Sequence, residues 1–128
     1  MEKNILITDD EPHIVAVIKI VLEEAGYGVW TADDGRSALT LLEHATPDLI
    51  ILDLKMPRVT GYEVCRILQN DPKKRAIPVV ILTASGPAIS KEDRQKLAAI
   101  DYISKPFSPY DLLDRVHKIL SNGSPQRK

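Results

Sequence analysis

Short apolar runs alternate with stretches of helical periodicity along this chain, and this alternation limits the folds that the chain can adopt. The runs Asn4–Thr8, Leu49–Leu52 and Val79–Leu82 are apolar at nearly every position. Strands without a polar face are typical of a parallel sheet that is covered by helices on both sides. Gly28–Thr31 is more mixed and is expected at a sheet edge, and Asp101–Ile103 completes a set of five predicted strands.

A helix start signal follows each predicted strand. The signals are Asp9-Asp10-Glu11-Pro12, Asp33-Asp34-Gly35, Thr60-Gly61-Tyr62-Glu63, Ser90-Lys91-Glu92-Asp93 and Ser108-Pro109. Thr60 and Glu63 have the spacing of a capping box, and proline is common in a first helical turn. In the first helix, the apolar spacing predicts one inward face that contains Ile14, Val17, Ile18 and Val21. Five strand–helix units in succession predict a doubly wound α/β fold with one parallel sheet.

Length, charge and cysteine content suit one soluble globular domain. The chain has 128 residues, and 17 Lys and Arg stand against 18 Asp and Glu. Proteins that bind nucleic acid directly or lie on membranes usually carry a basic excess, so neither partner is expected. No signal peptide is expected, and the sequence contains no apolar run of about 20 residues. The single cysteine, Cys65, fits a reducing cytoplasmic location. We expect one domain over residues 1–121, followed by a polar tail or linker at 122–128.

Charged and hydroxyl side chains follow four of the five predicted strands. Asp9 and Asp10 follow the first strand, Asp53 the third, Thr83 the fourth and Lys105 the fifth. Ligands of doubly wound sheets bind at the carboxyl ends of the strands. Three carboxylates at one site repel each other unless protons or a cation neutralise them. Because all the ligands are oxygens, Mg²⁺ is the expected cation.

The same residues are suited to accept a phosphoryl group. A carboxylate can act as a covalent phosphoryl acceptor, and the transfer depends mainly on positioning and charge neutralisation. Asp53 is the better candidate because Asp9 and Asp10 form a pair that can hold the metal from the neighbouring strand. The Lys105 ammonium and Mg²⁺ would balance the three carboxylates, and the Thr83 hydroxyl would donate a hydrogen bond to the phosphoryl group.

The pattern of these residues resembles the receiver domain of bacterial response regulators, from about residue 3 to residue 120. The resemblance is carried by Asp9-Asp10, by Asp53 with Met56-Pro57 and Gly61, by Thr83-Ala84 and by Lys105-Pro106-Phe107. It implies a flavodoxin-like (βα)5 fold with five parallel strands in the order 2-1-3-4-5. It also implies a phosphorylation-activated switch in a two-component phosphorelay, which catalyses only its own phosphorylation and dephosphorylation and is otherwise not an enzyme.

The resemblance implies a role for each residue of the site. Asp53 would accept the phosphoryl group from a phosphohistidine of a sensor histidine kinase or phosphotransfer protein. Asp10, Asp53 and the backbone carbonyl of Lys55 would coordinate Mg²⁺, and Asp9 would hold it partly through water. Lys105 would pair with the phosphoryl oxygens.

The resemblance also implies a conformational switch. Thr83 would move toward the phosphoryl group, and Tyr102 would rotate into the space that Thr83 leaves. The change would reshape the face formed by the fourth helix, the fifth strand and the fifth helix, to which an unknown output partner would bind. The protein would be a monomer or a phosphorylation-dependent dimer. The peptide bond before Pro106 is expected to be cis.

Three positions distinguish this chain within the resemblance. Lys55 and Ser85 lie two residues after Asp53 and Thr83, near the path of an attacking water in this family. A long cation at Lys55 would obstruct that water or pair with the phosphoryl group, so we expect a comparatively long-lived phosphoryl group. Ala98 stands where the family usually has glycine, and because alanine adopts a positive φ less readily, we expect a differently shaped turn there.

Two other functions fit parts of the pattern. A Mg-dependent aspartyl phosphatase-like enzyme would have two acids spaced one apart after the first strand, whereas Asp9, Asp10 and Glu11 are consecutive. A flavin- or nucleotide-binding module would need a Gly-, Ser- or Thr-rich phosphate loop there. Structural roles are also open: helix capping for the aspartate pair, and core packing for Tyr102.

Overall fold

Five strands and five helices alternate along the computed structural model, which describes residues 2–84 and 89–121. The strands are β1 (Asn4–Thr8), β2 (Gly28–Ala32), β3 (Leu49–Asp53), β4 (Val79–Thr83) and β5 (Asp101–Ser104). The helices are α1 (Pro12–Glu24), α2 (Gly35–His44), α3 (Gly61–Gln69), α4 (Lys91–Leu97) and α5 (Pro109–Ser121). In this part of the chain, no helix combines the length and hydrophobicity that crossing a membrane requires.

The strands form one parallel sheet in the order β2-β1-β3-β4-β5. The predicted flavodoxin-like fold and its strand order are therefore confirmed. The chain leaves β1 for the β2 edge and then crosses to β3 on the other side of β1, so the strand order reverses between β1 and β3. A crevice at the carboxyl ends of these two strands is the usual ligand position in such sheets.

Alternate residues of the strands pack into two hydrophobic layers. Leu6 and Ile50 lie in the layer covered by α2 and α3, whereas Ile7 and Ile51 lie in the layer that includes residues of α1 and α5. All four side chains are at most 1% exposed. This double coverage explains why the central strands carry no polar face.

The inward face of α1 differs from the predicted one at Val17. Ile18 and Leu22 are buried, and Ile14 packs against the same layer, but Val17 is 44% exposed. Residues 18 and 22 lie one turn apart and form the row that faces the sheet. Val17 lies on the flank of that row, where it borders a groove together with Phe107.

Helix caps hold the loops that approach the carboxyl edge of the sheet. Thr60 and Glu63 form the predicted capping box at the start of α3. The Ser90 hydroxyl accepts a hydrogen bond from the Asp93 amide at 3.1 Å at the start of α4. These bonds satisfy amides that lack partners inside the helix.

Ala98 ends α4 in the left-handed conformation, with φ of 52° and ψ of 35°. Its amide donates to the Arg94 carbonyl at 3.0 Å. The positive φ that glycine adopts readily is thus adopted by alanine, at a cost of about 1 kcal/mol from the contact between Cβ and the backbone.

Replacing Ala98 with glycine should therefore stabilise the fold. We expect Ala98→Gly to raise the free energy of unfolding by about 0.5 kcal/mol, because relief of the strain exceeds the added entropy of the unfolded chain. Urea unfolding measures this change. The matched control is Ala16→Gly on the exposed side of α1, which should lower the free energy of unfolding by about 1 kcal/mol. A similar loss in both variants would contradict the strain at Ala98.

Candidate functional site

The carboxyl ends of four strands bring the predicted site residues to one edge of the sheet. Asp9 follows β1, Asp53 ends β3, Thr83 ends β4 and Lys105 follows β5. Asp9 is fully buried and Asp53 is 4% exposed. The Asp9 amide donates to the Ala32 carbonyl at 3.3 Å, which extends the sheet pairing to this position.

The three predicted carboxylates form a cluster. One oxygen each of Asp9, Asp10 and Asp53 lie within 4.8 Å of one another. Asp9 and Asp53 are buried, and Asp10 is exposed. Asp9 Oδ2 accepts no hydrogen bond of good geometry from any described residue, although the Lys105 ammonium lies 3.1 Å away. A set of hard oxygen ligands with a buried atom that lacks a donor fits Mg²⁺.

Burial and a neighbouring charge control the ionisation of Asp53. Burial is the main cause that raises the pKa of Asp53, and the Asp9 carboxylate raises it further, to about 6. The Lys105 ammonium and the Lys55 amide, which donates to Asp53 Oδ1 at 3.2 Å, partly oppose this shift. The ionised carboxylate is therefore destabilised in the folded protein without a cation.

Three carboxylates surround the Lys105 ammonium. Its Nζ lies 2.7 Å from Glu11 Oε1, 3.1 Å from Asp9 Oδ2 and 3.4 Å from Asp53 Oδ2. Burial lowers the pKa of Lys105, but its contacts with the Glu11 and Asp9 carboxylates outweigh burial and raise the pKa above its usual range. Glu11 was not among the predicted site residues. The only signal for it in the sequence is its place as a third consecutive acid.

The predicted switch residues lie on neighbouring strands. Thr83 pairs with Ser104 and Ile81 pairs with Tyr102, so Thr83 and Tyr102 lie on the same face of the sheet, two residues apart in register. The Thr83 hydroxyl donates to the Ala84 carbonyl at 3.3 Å. The structure thus brings the two residues to one face of the sheet.

Arg94 packs against the ring of Tyr102, and this contact was not predicted from the sequence. The guanidinium carbon lies 4.5 Å from the ring centroid, as in a cation–π contact. The Tyr102 hydroxyl donates to the Arg94 carbonyl at 3.3 Å. Arg94 Nε also donates to the Ile89 carbonyl at 3.3 Å. These contacts fix Tyr102 against α4.

The remaining predicted positions have simpler surroundings. Lys55 is exposed beside the cluster, and the Lys105–Pro106 peptide bond is cis, as predicted. Ser85 lies outside the described residues, and its tuning role stays a prediction.

Comparison with known proteins identifies the family. Residues 5–117 match the family profile of the response regulator receiver domain. The chain belongs to this family. It is 43% identical over 120 residues to the alkaline phosphatase synthesis transcriptional regulatory protein PhoP of Bacillus subtilis, and the match covers 94% of this chain and 49% of that protein. This receiver chain therefore spans about half the length of the curated relatives that it matches.

Solved structures agree with this assignment. Chemotaxis response regulator CheY4 of Vibrio cholerae matches with a TM-score of 0.86 and 31% identity, over 93% of this chain and 99% of that chain. Response regulator TrrA of Thermotoga maritima, solved in complex with Mg²⁺ and BeF, matches with a TM-score of 0.80 and 35% identity, over 91% and 98% of the two chains. The chain is thus a receiver domain of two-component response regulators, and the phosphatase-like alternative is not favoured.

The ionisation of Asp53 gives this receiver a specific pH dependence. The pKa of Asp53 is raised above the value of 3.8 for a free carboxyl to about 6. Below pH 4 the group is protonated in both the folded and the unfolded state, so it does not lower the free energy of unfolding. Ionisation of Asp53 lowers the free energy of unfolding progressively between pH 4 and 6, and the full loss is reached above pH 6. We expect Asp53→Asn to raise the free energy of unfolding by about 2 kcal/mol at pH 7 in EDTA, and by almost nothing at pH 4.

Urea unfolding across this pH range measures the effect. Asp114→Asn is the matched control, because it makes the same chemical change on the exposed side of α5. A gain from Asp53→Asn that is equal at pH 4 and pH 7 would contradict a raised pKa as its cause.

Proposed function

We propose that Asp53 accepts a phosphoryl group from a phosphohistidine of a sensor histidine kinase or phosphotransfer protein, in a Mg²⁺-dependent reaction. The observation that carries the proposal is the position of the Asp53 carboxylate. It lies buried within 4.8 Å of two other carboxylates and 3.4 Å from the Lys105 ammonium. This combination of a nucleophile, a cation site and a fixed cation is what phosphoryl transfer to a carboxylate requires.

The contacts of Asp53 suit a nucleophile. The Lys55 amide donates a hydrogen bond to Oδ1, and the Lys105 ammonium donates one to Oδ2. These two contacts hold the carboxylate in one orientation. In the proposed reaction an Asp53 oxygen attacks phosphorus, the new O–P bond forms and the N–P bond to the donor histidine breaks. The released imidazole takes a proton from solvent. Dephosphorylation by water restores the carboxylate and releases inorganic phosphate.

The acidic cluster is the proposed metal site. Asp9, Asp10 and Asp53 would hold Mg²⁺ together with the backbone carbonyl of Lys55. When bound, Mg²⁺ supplies charge neutralisation at the phosphoryl oxygens. Lys105 would orient and neutralise a further phosphoryl oxygen. These self-directed reactions would be the only chemistry of the chain, so it acts as a signalling switch.

The proposed output runs from Thr83 to the face formed by α4, β5 and α5. Thr83 would turn toward the phosphoryl group and donate a hydrogen bond to it from its hydroxyl. Tyr102 would then move inward along the same face of the sheet. On the output face, Arg115 contacts the Asp101 carboxylate at 3.1 and 3.2 Å and Asp111 at 3.5 Å. Charged side chains that can exchange partners suit a surface that binds another protein when it is reshaped.

Several expectations about the whole protein belong to this proposal. We assign residues 1–121 to the receiver and 122–128, which lie outside the described residues, to a tail or linker. A cytoplasmic location, and either a monomer or a phosphorylation-dependent dimer, fit a phosphorelay component. The expected lack of direct nucleic-acid binding is not supported by the relatives, which include the DNA-binding dual master transcriptional regulator RpaA of Synechocystis, matched over 48% of its length.

Phosphorylation at Asp53 can be tested with a small donor. With Mg²⁺ and acetyl phosphate, intact-protein mass spectrometry should show one added phosphoryl group, and Asp53→Asn should reduce its formation by at least about 100-fold because the nucleophile is lost. Asp33→Asn, which removes an exposed carboxylate after β2, is the control and should phosphorylate normally. Turnover of varied phosphate esters that depends on Asp9 would instead support the phosphatase-like function.

The side chain of Lys55 should lengthen the life of the phosphoryl group. We expect Lys55→Asn to increase the dephosphorylation rate about three-fold or more, because a shorter neutral side chain no longer obstructs water or pairs with the phosphoryl oxygens. Release of inorganic phosphate after removal of the donor measures the rate. Lys73→Asn, at an exposed loop position away from the site, is the control. Equal rates in the wild type and Lys55→Asn would refute this role.

A further inference from the structure

The nearest partner of the Lys105 ammonium is a residue outside the acidic cluster. Glu11 Oε1 accepts a hydrogen bond from Lys105 Nζ at 2.7 Å, whereas the Asp53 oxygen lies 3.4 Å away. Hydrogen bonds between ions of opposite charge are strongest at about 2.7–2.9 Å. In the unphosphorylated receiver, Lys105 is therefore bound more closely by Glu11 than by the proposed phosphoacceptor.

The backbone of Glu11 is fixed, but its side chain is not used for helix capping. Glu11 occupies the N-cap position of α1 in an extended conformation, and its side chain makes no capping hydrogen bond. Its amide donates to Asp9 Oδ1 at 2.9 Å, and its carbonyl accepts from the Ile14 amide at 3.1 Å. The chain therefore presents the Glu11 carboxylate at a defined place beside Lys105.

Lys105 has a second task in the proposed function, because it must bind an oxygen of the phosphoryl group on Asp53. Moving the ammonium toward that oxygen weakens its 2.7 Å contact with Glu11. The Glu11 carboxylate also repels the incoming anion. Because the Glu11 side chain is 45% exposed and the Lys105 side chain is 15% exposed, water screens the pair only in part, and the competition should be moderate.

We propose that Glu11 is a positioning residue that holds Lys105 in the unphosphorylated receiver and competes with the phosphoryl group for it. The proposal rests on the proposed function of Asp53. Glu11 thereby sets how strongly the site binds a phosphoryl group, without contacting that group itself.

Beryllofluoride, an analogue of the phosphoryl group, provides the test. We expect Glu11→Gln to tighten beryllofluoride binding at saturating Mg²⁺ about three- to five-fold, as followed by fluorine NMR titration. Glu11→Asp, which keeps the charge on a shorter side chain, should fall between Glu11→Gln and the wild type. The control is Glu23→Gln, which removes the carboxylate of an exposed pair with Lys19 at 3.0 Å, and it should bind beryllofluoride like the wild type.

A double-mutant cycle with Lys105→Met separates competition for Lys105 from a general loss of negative charge. If Glu11 acts through Lys105, Glu11→Gln should not tighten binding in the Lys105→Met background. The NMR shift of the Lys105 Cε should also change in free Glu11→Gln but not in its beryllofluoride complex. Unchanged or weaker binding by Glu11→Gln, or an equal gain with and without Lys105, would overturn the proposal.

The wild-type titration separates this inference from the function on which it rests. A wild type that binds beryllofluoride while Glu11→Gln behaves identically refutes only the role of Glu11. A wild type that does not bind beryllofluoride in the presence of Mg²⁺ refutes the phosphoacceptor function of Asp53 and the role of Glu11 together.

Discussion

The burial of two neighbouring carboxylates governs the carboxyl edge of this sheet. Asp9 and Asp53 lie side by side because β1 and β3 are parallel neighbours in register. Burial removes water from the Asp53 carboxylate and is the main cause that raises its pKa, and repulsion from Asp9 raises the pKa further, to about 6. Lys105 reaches both carboxylates, but its single charge is shared with Glu11. The folded chain thus leaves an excess of negative charge that a divalent cation would neutralise, so binding of the cation would also stabilise the fold.

The rest of the domain keeps these charges together. The central strands bury both faces, and residues such as Leu6 and Ile51 anchor them to opposite helical layers. A strand held from both sides has little freedom to tilt, so its terminal side chain cannot move away from a neighbouring charge. The close approach of α3 depends on Gly61, where a Cβ would lie 2.4 Å from the Asp53 carbonyl oxygen. The favourable free energy of hydrophobic packing in the two layers therefore offsets the unfavourable burial of the Asp53 carboxylate.

The sequence predicts which residues lie at the carboxyl edge of the sheet, but it does not predict which side chains these residues contact. Asp9, Asp53 and Lys105 were predictable because strand ends can be located from apolar runs, and parallel strands end at the same edge. The pairing of Lys105 with Glu11 spans 94 positions and has no periodic pattern. The contact between Arg94 and Tyr102 likewise depends on how α4 packs. Val17 was placed wrongly because it continues the apolar spacing of α1, although it lies on the flank of the row that faces the sheet and borders a groove.

Strand β5 connects the site to the proposed output face over a very short distance. Lys105 follows the strand directly, Tyr102 lies three residues earlier, and Asp101 holds Arg115 on the outer side. A change of partner at Lys105 therefore acts on the same strand that carries the aromatic ring and the charged surface. In the proposed switch, the contacts of Lys105 with Glu11 and of Tyr102 with Arg94 would both favour the unphosphorylated arrangement. A phosphoryl group on Asp53 that took Lys105 from Glu11 would remove one of these two restraints, and the packing of Arg94 on Tyr102 would then be the remaining barrier to the proposed switch.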